Sequence, residues 1–566
     1  MNLLLLFGGV TLCLAWLIAG HYYPWANAQQ EILAVVGALL LGGAALFAKR
    51  FFWPFLAVVA ATAATIPLLQ WGAGQIRFVS DAVVAAGYLA GFAMCIVVGA
   101  TLARERQVDM SGLVLSALGV AAMVSVGMGL KQWVDQGTGV FIDSVQLSGR
   151  IYANFAQPNH LATALAIGTC AVLLGHARGK LGSFVTVLAI TFLSWGLVMT
   201  QSRTGWLFVA LMAVGLLALR RRAALKISPS AVVAGVALFA LAALSWSPLN
   251  DLLLLSRQDA AMARLSSGSL RLIHWQVILD AISQHPWSGY GWTQTALAQQ
   301  ATVAGHPATG EMLTNSHNLA LDLLAWNGIP LGLFLVGCLV WWFVRQLRQC
   351  VDAERAFPLA AVGAVMLHSL LEFPLDYAYF LLPTGLLMGA LDAKDPKAPS
   401  VTTSRTLFAV PFVVLLTLST WIGYEFFWKV VDTSRTLRFV AAGIGTDKVP
   451  RVAEPDVILL DRIRELHRFI LAPARIDPDP AYLAWVRDVA QRHAFPPAML
   501  RHALAAGLNH QPAEAEQVLV RICKMHPVGS CDEGRTSWAL LKQEHPELAS
   551  IPYPQSEPAP AATLTR

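Results

Sequence analysis

The chain has 566 residues, 56% of them hydrophobic and 13% charged, with a formal net charge of +6. An ordinary soluble domain has about 25% charged residues, so the composition excludes a purely soluble chain and indicates a polytopic membrane bundle with one modest polar domain. The net charge says little by itself, because membrane proteins distribute basic residues by topology, and no nucleic-acid partner is expected.

The first nineteen residues lack the basic n-region of a signal peptide and lead into alternating apolar runs, so they read as an uncleaved first span. Runs of the length that crosses a bilayer, about 17–25 residues, fall at 3–19, 31–48, 51–69, 80–101, 111–130, 160–176, 182–200, 204–219, 230–247, 318–343, 356–372, 374–391 and 406–430. Thirteen transmembrane helices are therefore expected. Lys49-Arg50, Arg104 with Arg106, Arg178 with Lys180, Arg220-Arg221-Arg222 with Lys226, Arg345 with Arg348, and Lys394 with Lys397 all fall in loops on one side. The positive-inside rule makes that side the cytoplasm. The expected organisation is N-terminal transmembrane helices over 1–247, a periplasmic loop over 248–317, C-terminal transmembrane helices over 318–430, and a periplasmic α-helical domain over 431–566. Arg77, Lys131, Arg150 and Arg203 depart from the rule by lying in short outer connections.

Residues 148–165 read SGRIYANFAQPNHLATAL and place Arg150, Tyr152, Asn154, Gln157, Asn159 and His160 just before a span. Asn159 after Pro158 is expected to cap the helix, which explains one of the six, and Arg150 and Gln157 are functional candidates. Residues 199–207, MTQSRTGWL, join two spans through a very tight turn. Arg203 in that turn is a cation at the outer bilayer edge and needs an anionic partner, either lipid headgroups or a diphosphate.

The outer loop contains SSGSLRLIHWQVILDAISQHPWSGYGW. Ser266 to Ser269 offer caps, Leu270, Ile273, Val277 and Ile278 keep a helical period, and Pro286, Gly289 and Gly291 end it. An amphipathic helix lying on the outer membrane face is expected, with Arg271 and His274 on it. Next comes LTNSHNLALDLLAWNGIPLG over 313–332, with Asn315 or Ser316 as the expected cap and a kink or close contact at Gly328, Pro330 and Gly332. His317, beside Asn318, has the unperturbed pKa near 6.5 that suits a general base; an inert interfacial histidine is the alternative. In MLHSLLEFPLDYAYFLLP, residues 366–383, His368 and Glu372 are spaced to share a helix face. Tyr377 and Tyr379 follow Pro374 at the outer edge. This group reads equally as a functional intramembrane cluster or as a structural pair with an aromatic belt.

Beyond residue 430 charges become frequent, and helical segments are expected at 456–472, 480–493, 496–508 and 512–525 in an α-solenoid-like arrangement without a strict repeat. The Pro- and Ala-rich stretch 551–566 is expected to be disordered. None of the seven cysteines has metal-ligand spacing. Cys523 and Cys531 are the pair outside the hydrophobic region, and a disulfide there suits an oxidising compartment. No nucleotide-binding glycine loop, outer acidic pair or zincin motif occurs. Arginines, not a metal or cofactor, would hold a phosphorylated group.

The series GRIYANFAQPNHLA, TQSRTG, RLIHWQ with HPWSGYGW, and NSHNLALDLLAWNGIPLG resembles the O-antigen ligase and polymerase superfamily. With HSLLEFPLDYAYF and the long tail, it is most similar to the bacterial protein O-oligosaccharyltransferases often called PglL type. The resemblance implies an all-α, GT-C-like bundle of about 13 spans with a soluble helical domain. It implies His317 as catalytic base and Arg203 and Arg271, with Arg150, as ligands of the diphosphate of an undecaprenyl-linked glycan. Gln157 and Tyr377 or Tyr379 match polar positions of the protein-glycosylating branch; with them Asn159, Asn318, His368 and Glu372, candidates by their own place in the sequence, make up the expected substrate-binding set. A pilin-like acceptor protein and membrane lipid are the implied partners, in a bacterial inner membrane. The chain departs from the superfamily where a Glu often follows the His-Asn pair: it has Ala325-Trp326-Asn327, with Asp322 nearby.

Ligation of the same glycan onto lipid A core, or polymerisation of repeat units, shares this chemistry and stays open. A transporter or flippase would line a path across the midplane, whereas these polar groups collect near one face. A non-catalytic assembly protein is the third class.

Overall fold

The computed structural model describes residues 1–21, 24–135, 150–253, 255, 269–441, 454–477 and 479–557. The expected caps Ser266 and Ser267, and residues 558–566 of the expected disordered end, lie outside that set. The protein is a mostly helical polytopic membrane bundle with a C-terminal helical region. It packs as two compact units, one of Met1–Ala64, Gly87–Leu265 and Gly337–Ser419, the other of Thr65–Ala86, Ser266–Val336 and Thr420–Arg566.

Each of the thirteen apolar runs contains helix, but their extents differ from expectation: the run 51–69 opens in an extended segment, Arg50–Pro54, before its helices Phe55–Ala63 and Ile66–Gly72. Among the described residues, eight helices are long and apolar enough to cross a membrane, or nine if the pair Pro229–Leu244 and Trp246–Leu252, bent by 43°, is one span. Asn2–Leu17, Arg203–Leu219 and Ala378–Ala393 have only 16, 17 and 16 residues. At 1.5 Å per residue such helices reach about 25 Å, short of a hydrocarbon core of about 30 Å. Ala353–Ser369 is 17 residues long and opens on Glu354 and Arg355.

In the first unit the core runs through Trp16, Leu41, Leu118, Leu161, Leu193, Phe357 and Leu386, all almost fully buried. Small residues let backbones touch: a Cβ on Gly99 would meet the Leu386 carbonyl, and one on Gly389 would meet that of Ile96. This is the close approach that membrane helices use when water supplies no driving force between them. The outward faces are apolar, with Phe184, Val187, Leu188, Leu238, Leu244 and Val410 all at least 60% exposed. A surface of that kind needs lipid or another protein to cover it.

The basic loops are joined in a chain of contacts. Residues Arg50–Pro54 pair antiparallel with Ser400–Ser404, Arg50 opposite Ser404, a two-stranded element that the apolar pattern gave no reason to expect. The Arg104 guanidinium stacks over Phe52 at 4.5 Å. Arg178 bonds Asp109 at 2.5 Å and Glu354 at 2.6 Å, and Lys394 reaches Glu354 at 3.2 Å. Arg345 bonds Asp392 and Asp395, and Arg222 donates to the Arg348 carbonyl. The loops that the charge pattern assigns to one side are thus bonded to one another.

In the second unit, helices Asp461–Leu471, Pro480–Arg492, Pro496–Leu508, Pro512–Met525 and Val528–Glu544 follow one another. The last of these was not expected. Pro480, Pro496 and Pro512 each open a helix, where the missing N–H costs nothing. Cys523 and Cys531 form a disulfide. The helix Ser269–Gln284 packs its Ile273 and Val277 against Met499, Ala503, Val518 and Ile522. Its periodic apolar face is therefore taken up by protein, not left to lie on a membrane as expected, and Leu272 and Leu279 remain exposed. Asp81 is buried and bonded by Arg492 at 2.6 and 3.0 Å and by Arg462 at 2.6 Å. Asp461 accepts from the N–H groups of Val79 and Ser80 at 3.0 and 2.9 Å, which caps the helix Val79–Glu105 from the tail.

Candidate active site

In the first unit the expected residues gather around the start of the helix Pro158–Ala177. Pro158 is its first residue, so the cap is Gln157, whose side-chain oxygen accepts from the His160 N–H at 2.8 Å. The expected cap, Asn159, lies inside the first turn, and its side chain is available for other contacts. Asn159 Oδ1 accepts from Ser202 Oγ at 2.7 Å and from Arg150 Nη2 at 3.3 Å, and its Nδ2 donates to Glu372 at 3.3 Å. Arg150 Nε donates to the Thr200 carbonyl at 3.1 Å. The turn between Ser183–Thr200 and Arg203–Leu219 is two residues long. Gln201 takes a left-handed φ of 48°, and Ser202 caps the second helix, accepting from Gly205 N–H at 3.2 Å. Arg203 is then the first helical residue and is half-buried.

A second polar layer lies beside it. His160 bonds the Tyr379 hydroxyl at 3.1 Å, and its ring meets Tyr377 edge-on at 4.6 Å. His368 Nδ1 is 2.8 Å from the Thr163 hydroxyl. His368 and Glu372, expected as a pair on one helix face, are separated by the end of the helix Ala353–Ser369. Glu372 N–H still bonds the His368 carbonyl at 2.8 Å, and both side chains reach the helix Pro158–Ala177. Tyr379 is 1% exposed, so it supports His160 from within. The buried Glu31 was not singled out from the sequence. It accepts from Tyr88 Oη and from Ala378 N–H, both at 2.7 Å. One carboxylate inside the apolar run Ala28–Ala45 was the available signal.

The second unit holds His317, Asn318, Arg271 and His274. Asn318, not Asn315 or Ser316, caps the helix Leu319–Arg348: its Oδ1 accepts from Ala320 and Leu321 N–H at 3.0 and 3.3 Å. The preceding residue, His317, has a left-handed φ of 57° and is half-buried. Its neighbours are clamped. Ser316 N–H donates to Asp322 Oδ1 at 2.8 Å, Ser316 Oγ to the Asn318 carbonyl at 2.9 Å, and Trp275 Nε1 to the Ser316 carbonyl at 3.1 Å. Asp322, the acid nearest the missing Glu, also accepts from Thr295 at 3.2 Å. It holds the loop that presents His317. A non-glycine residue held in this backbone region by its surroundings is a frequent mark of a functional position.

His274 is buried, with Nε2 3.8 Å from Glu311. Burial pushes its imidazole below the usual histidine range; Glu311 opposes this, while His317 and Arg271 nearby add to it. Arg271, His274 and His317 therefore share one electrostatic neighbourhood. Below them, Gly328 breaks the helix Leu319–Arg348 at φ 77°, ψ 171°. The loop 286–291 fills the break: Tyr290 and Gly291 N–H donate to the carbonyls of Ala325 and Trp326 at 2.7 and 3.1 Å, and Ile329 N–H to that of Pro286 at 2.7 Å.

An integral membrane bundle with these polar clusters belongs, by its sequence matches, to the glycosyltransferases. Residues 187–336, which carry Arg203, Arg271 and His317, match the family described as O-antigen ligase, and residues 151–174 match the protein glycosylation ligase family. Residues 357–533 match the C-terminal part described for a virulence factor membrane-bound polymerase. A general O-oligosaccharyltransferase of Acinetobacter baylyi is 30% identical over 543 residues, 93% of this chain and 92% of that protein. A ComP-specific O-oligosaccharyltransferase of the same organism is 27% identical over 420 residues, 72% and 74% of the two chains. The chain belongs to the O-oligosaccharyltransferase family.

Proposed function

We propose that the protein transfers a glycan from an undecaprenyl-diphosphate donor to a Ser or Thr hydroxyl of a pilin-like protein outside the cytoplasm. The acceptor oxygen bonds to the anomeric carbon, the bond from that carbon to the diphosphate oxygen breaks, and the hydroxyl proton passes to His317. Arg203 and Arg271, with Arg150, hold the diphosphate as it gains charge. Guanidinium suits this because it stays charged and offers paired N–H groups to phosphate oxygens, and charge stabilisation is usually the largest contribution to such a transfer. Asn159, which bonds Arg150 and Ser202 together, orders the arginine side of the first cluster.

The observation that carries this reading is His317 in a left-handed conformation between two clamped neighbours, in the electrostatic neighbourhood of Arg271. The site is assigned to the periplasmic side of a bacterial inner membrane. Two facts support that assignment: the Cys523–Cys531 disulfide, which suits an oxidising compartment, and the mutual bonding of the basic loops, which suits a single cytoplasmic face.

The test is purified protein with an undecaprenyl-diphosphate glycan and a pilin acceptor in EDTA, read by intact mass. Wild type adds the glycan mass, and His317→Ala slows the reaction by about 100-fold or more. Wild-type speed in that variant removes the base assignment. The O-antigen ligase and polymerase matches favour one second reading, in which the acceptor is another lipid-linked glycan. An unchanged acceptor mass beside a lengthened lipid-linked glycan would select it.

A further inference from the structure

We infer that Glu31 is a positioning residue for the glycan transfer, acting as an N-cap supplied from a distant helix. The inference rests on the proposed role of the first polar cluster. The helix Ala378–Ala393 begins after Tyr377, and the tyrosine side chain makes no capping hydrogen bond. Tyrosine cannot bend its hydroxyl back onto the first turn; the Phe380 N–H turns to the Tyr377 carbonyl at 3.0 Å, and the Ala378 N–H of this buried helix needs another acceptor. Glu31, from the helix Ala28–Ala45, supplies it at 2.7 Å to Ala378 N–H. The Glu31 oxygen lies where the helix start presents its N–H groups. The Tyr88 hydroxyl, 2.7 Å from the same oxygen, fixes its direction.

What this cap holds is the pair of tyrosines on either side of Ala378. Tyr377 packs edge-on against His160 at 4.6 Å, and Tyr379 bonds the His160 ring at 3.1 Å. The residue before His160 is Asn159, which joins Arg150, Ser202 and Glu372. A Trp16 Nε1 bond to the Tyr379 carbonyl at 2.8 Å secures the following residue, and the Phe380 and Leu381 N–H groups close on the Tyr377 carbonyl at 3.0 and 2.9 Å, so what Glu31 holds is the Ala378 N–H between the two tyrosines. Removing the cap lets Tyr377 and Tyr379 shift, and the shift passes through His160 to Asn159 and Arg150.

The experiment compares Glu31→Gln, Glu31→Ala, Ala378→Pro and Tyr379→Phe in the purified transfer assay, with kcat and KM for the donor measured separately and thermal unfolding in detergent alongside. A glutamine oxygen in the place of that carboxylate oxygen still accepts from both Ala378 N–H and the Tyr88 hydroxyl, so Glu31→Gln is expected to stay within about 3-fold of wild type. Glu31→Ala is expected to lower kcat/KM by about 10-fold or more, since small displacements of positioned groups are costly. Ala378→Pro removes the N–H and drives the ring against the Glu31 oxygen, which lies 2.7 Å from that nitrogen, and is expected to be at least as impaired as Glu31→Ala. The effects of Glu31→Ala and Tyr379→Phe should combine to less than their product. Three outcomes overturn the inference: an unaffected Glu31→Ala, a Glu31→Gln as impaired as alanine, or full additivity with Tyr379→Phe. If His317→Ala abolishes transfer while Glu31→Ala leaves it intact, only this inference falls. If His317→Ala is fully active, the base assignment falls instead.

Discussion

Position 317 has a φ of 57° between neighbours whose hydrogen bonds are committed. Asp322 accepts the Ser316 N–H, and Asn318 is committed to capping the helix that follows. Asp322→Ala would leave that buried N–H unsatisfied, at about 1–3 kcal/mol, and release the histidine from its placement. A drop in kcat of about 10- to 100-fold at unchanged expression is expected in the mass assay. Gln157 gives the opposite forecast. Because its oxygen caps a helix, Gln157→Ser should keep transfer activity, while Gln157→Ala should cost about 1 kcal/mol of stability, seen as an earlier thermal transition. The sequence displayed most of these residues, since arginines, asparagines and a histidine at the ends of apolar runs stand out by type. It misassigned the caps by two or three positions. Proline is accepted as the first helical residue, so the cap before Pro158 is Gln157 and not Asn159. Glu31 escaped notice because its partners, Tyr88 and Ala378, are remote in the chain and no local spacing reveals them.

The helices themselves were legible because long apolar runs have few alternatives in lipid. Their ends were less so, since hydropathy fades gradually while a helix stops where a cap or glycine stops it. Gly328 is such a place. Its φ and ψ fall in a region open essentially to glycine alone, and an added Cβ would stand 2.5 Å from the Trp287 carbonyl carbon and oxygen. Gly328→Ala is expected to destabilise the second unit by about 1–3 kcal/mol or more, measured by thermal unfolding in detergent. The strand pair escaped prediction for a different reason. Ser400–Ser404 is polar and Arg50–Pro54 opens an apolar run, so neither shows the alternation of a half-buried strand until they are paired.

For the whole molecule, the tail makes acid stability a local property. His493 closes the helix Pro480–Arg492, and burial, with the Arg462 and Arg492 cations, pushes its imidazole down to about 3. The unfolded chain takes up that proton near pH 6.5, so the stability from neutral His493 is complete above 6.5 and is lost as pH falls towards 3. Glu514, held at about 2 by His502 and Arg487 against the effect of burial, contributes stability above 4.5 that fades as pH falls towards 2. Between pH 6.5 and 4.5 the loss is therefore a histidine effect. His493→Gln should flatten the unfolding midpoint against pH in that interval, with a residual slope because burial also pushes His467 and His526 down. The pairing of Arg50–Pro54 with Ser400–Ser404 has a consequence for biogenesis. The first strand leaves the ribosome long before its mate exists, and a lone ribbon edge is a template for wrong partners. The strand Arg50–Pro54 stays without its mate until residues 400–404 have been made, so a chain truncated before residue 400 is expected to expose that edge.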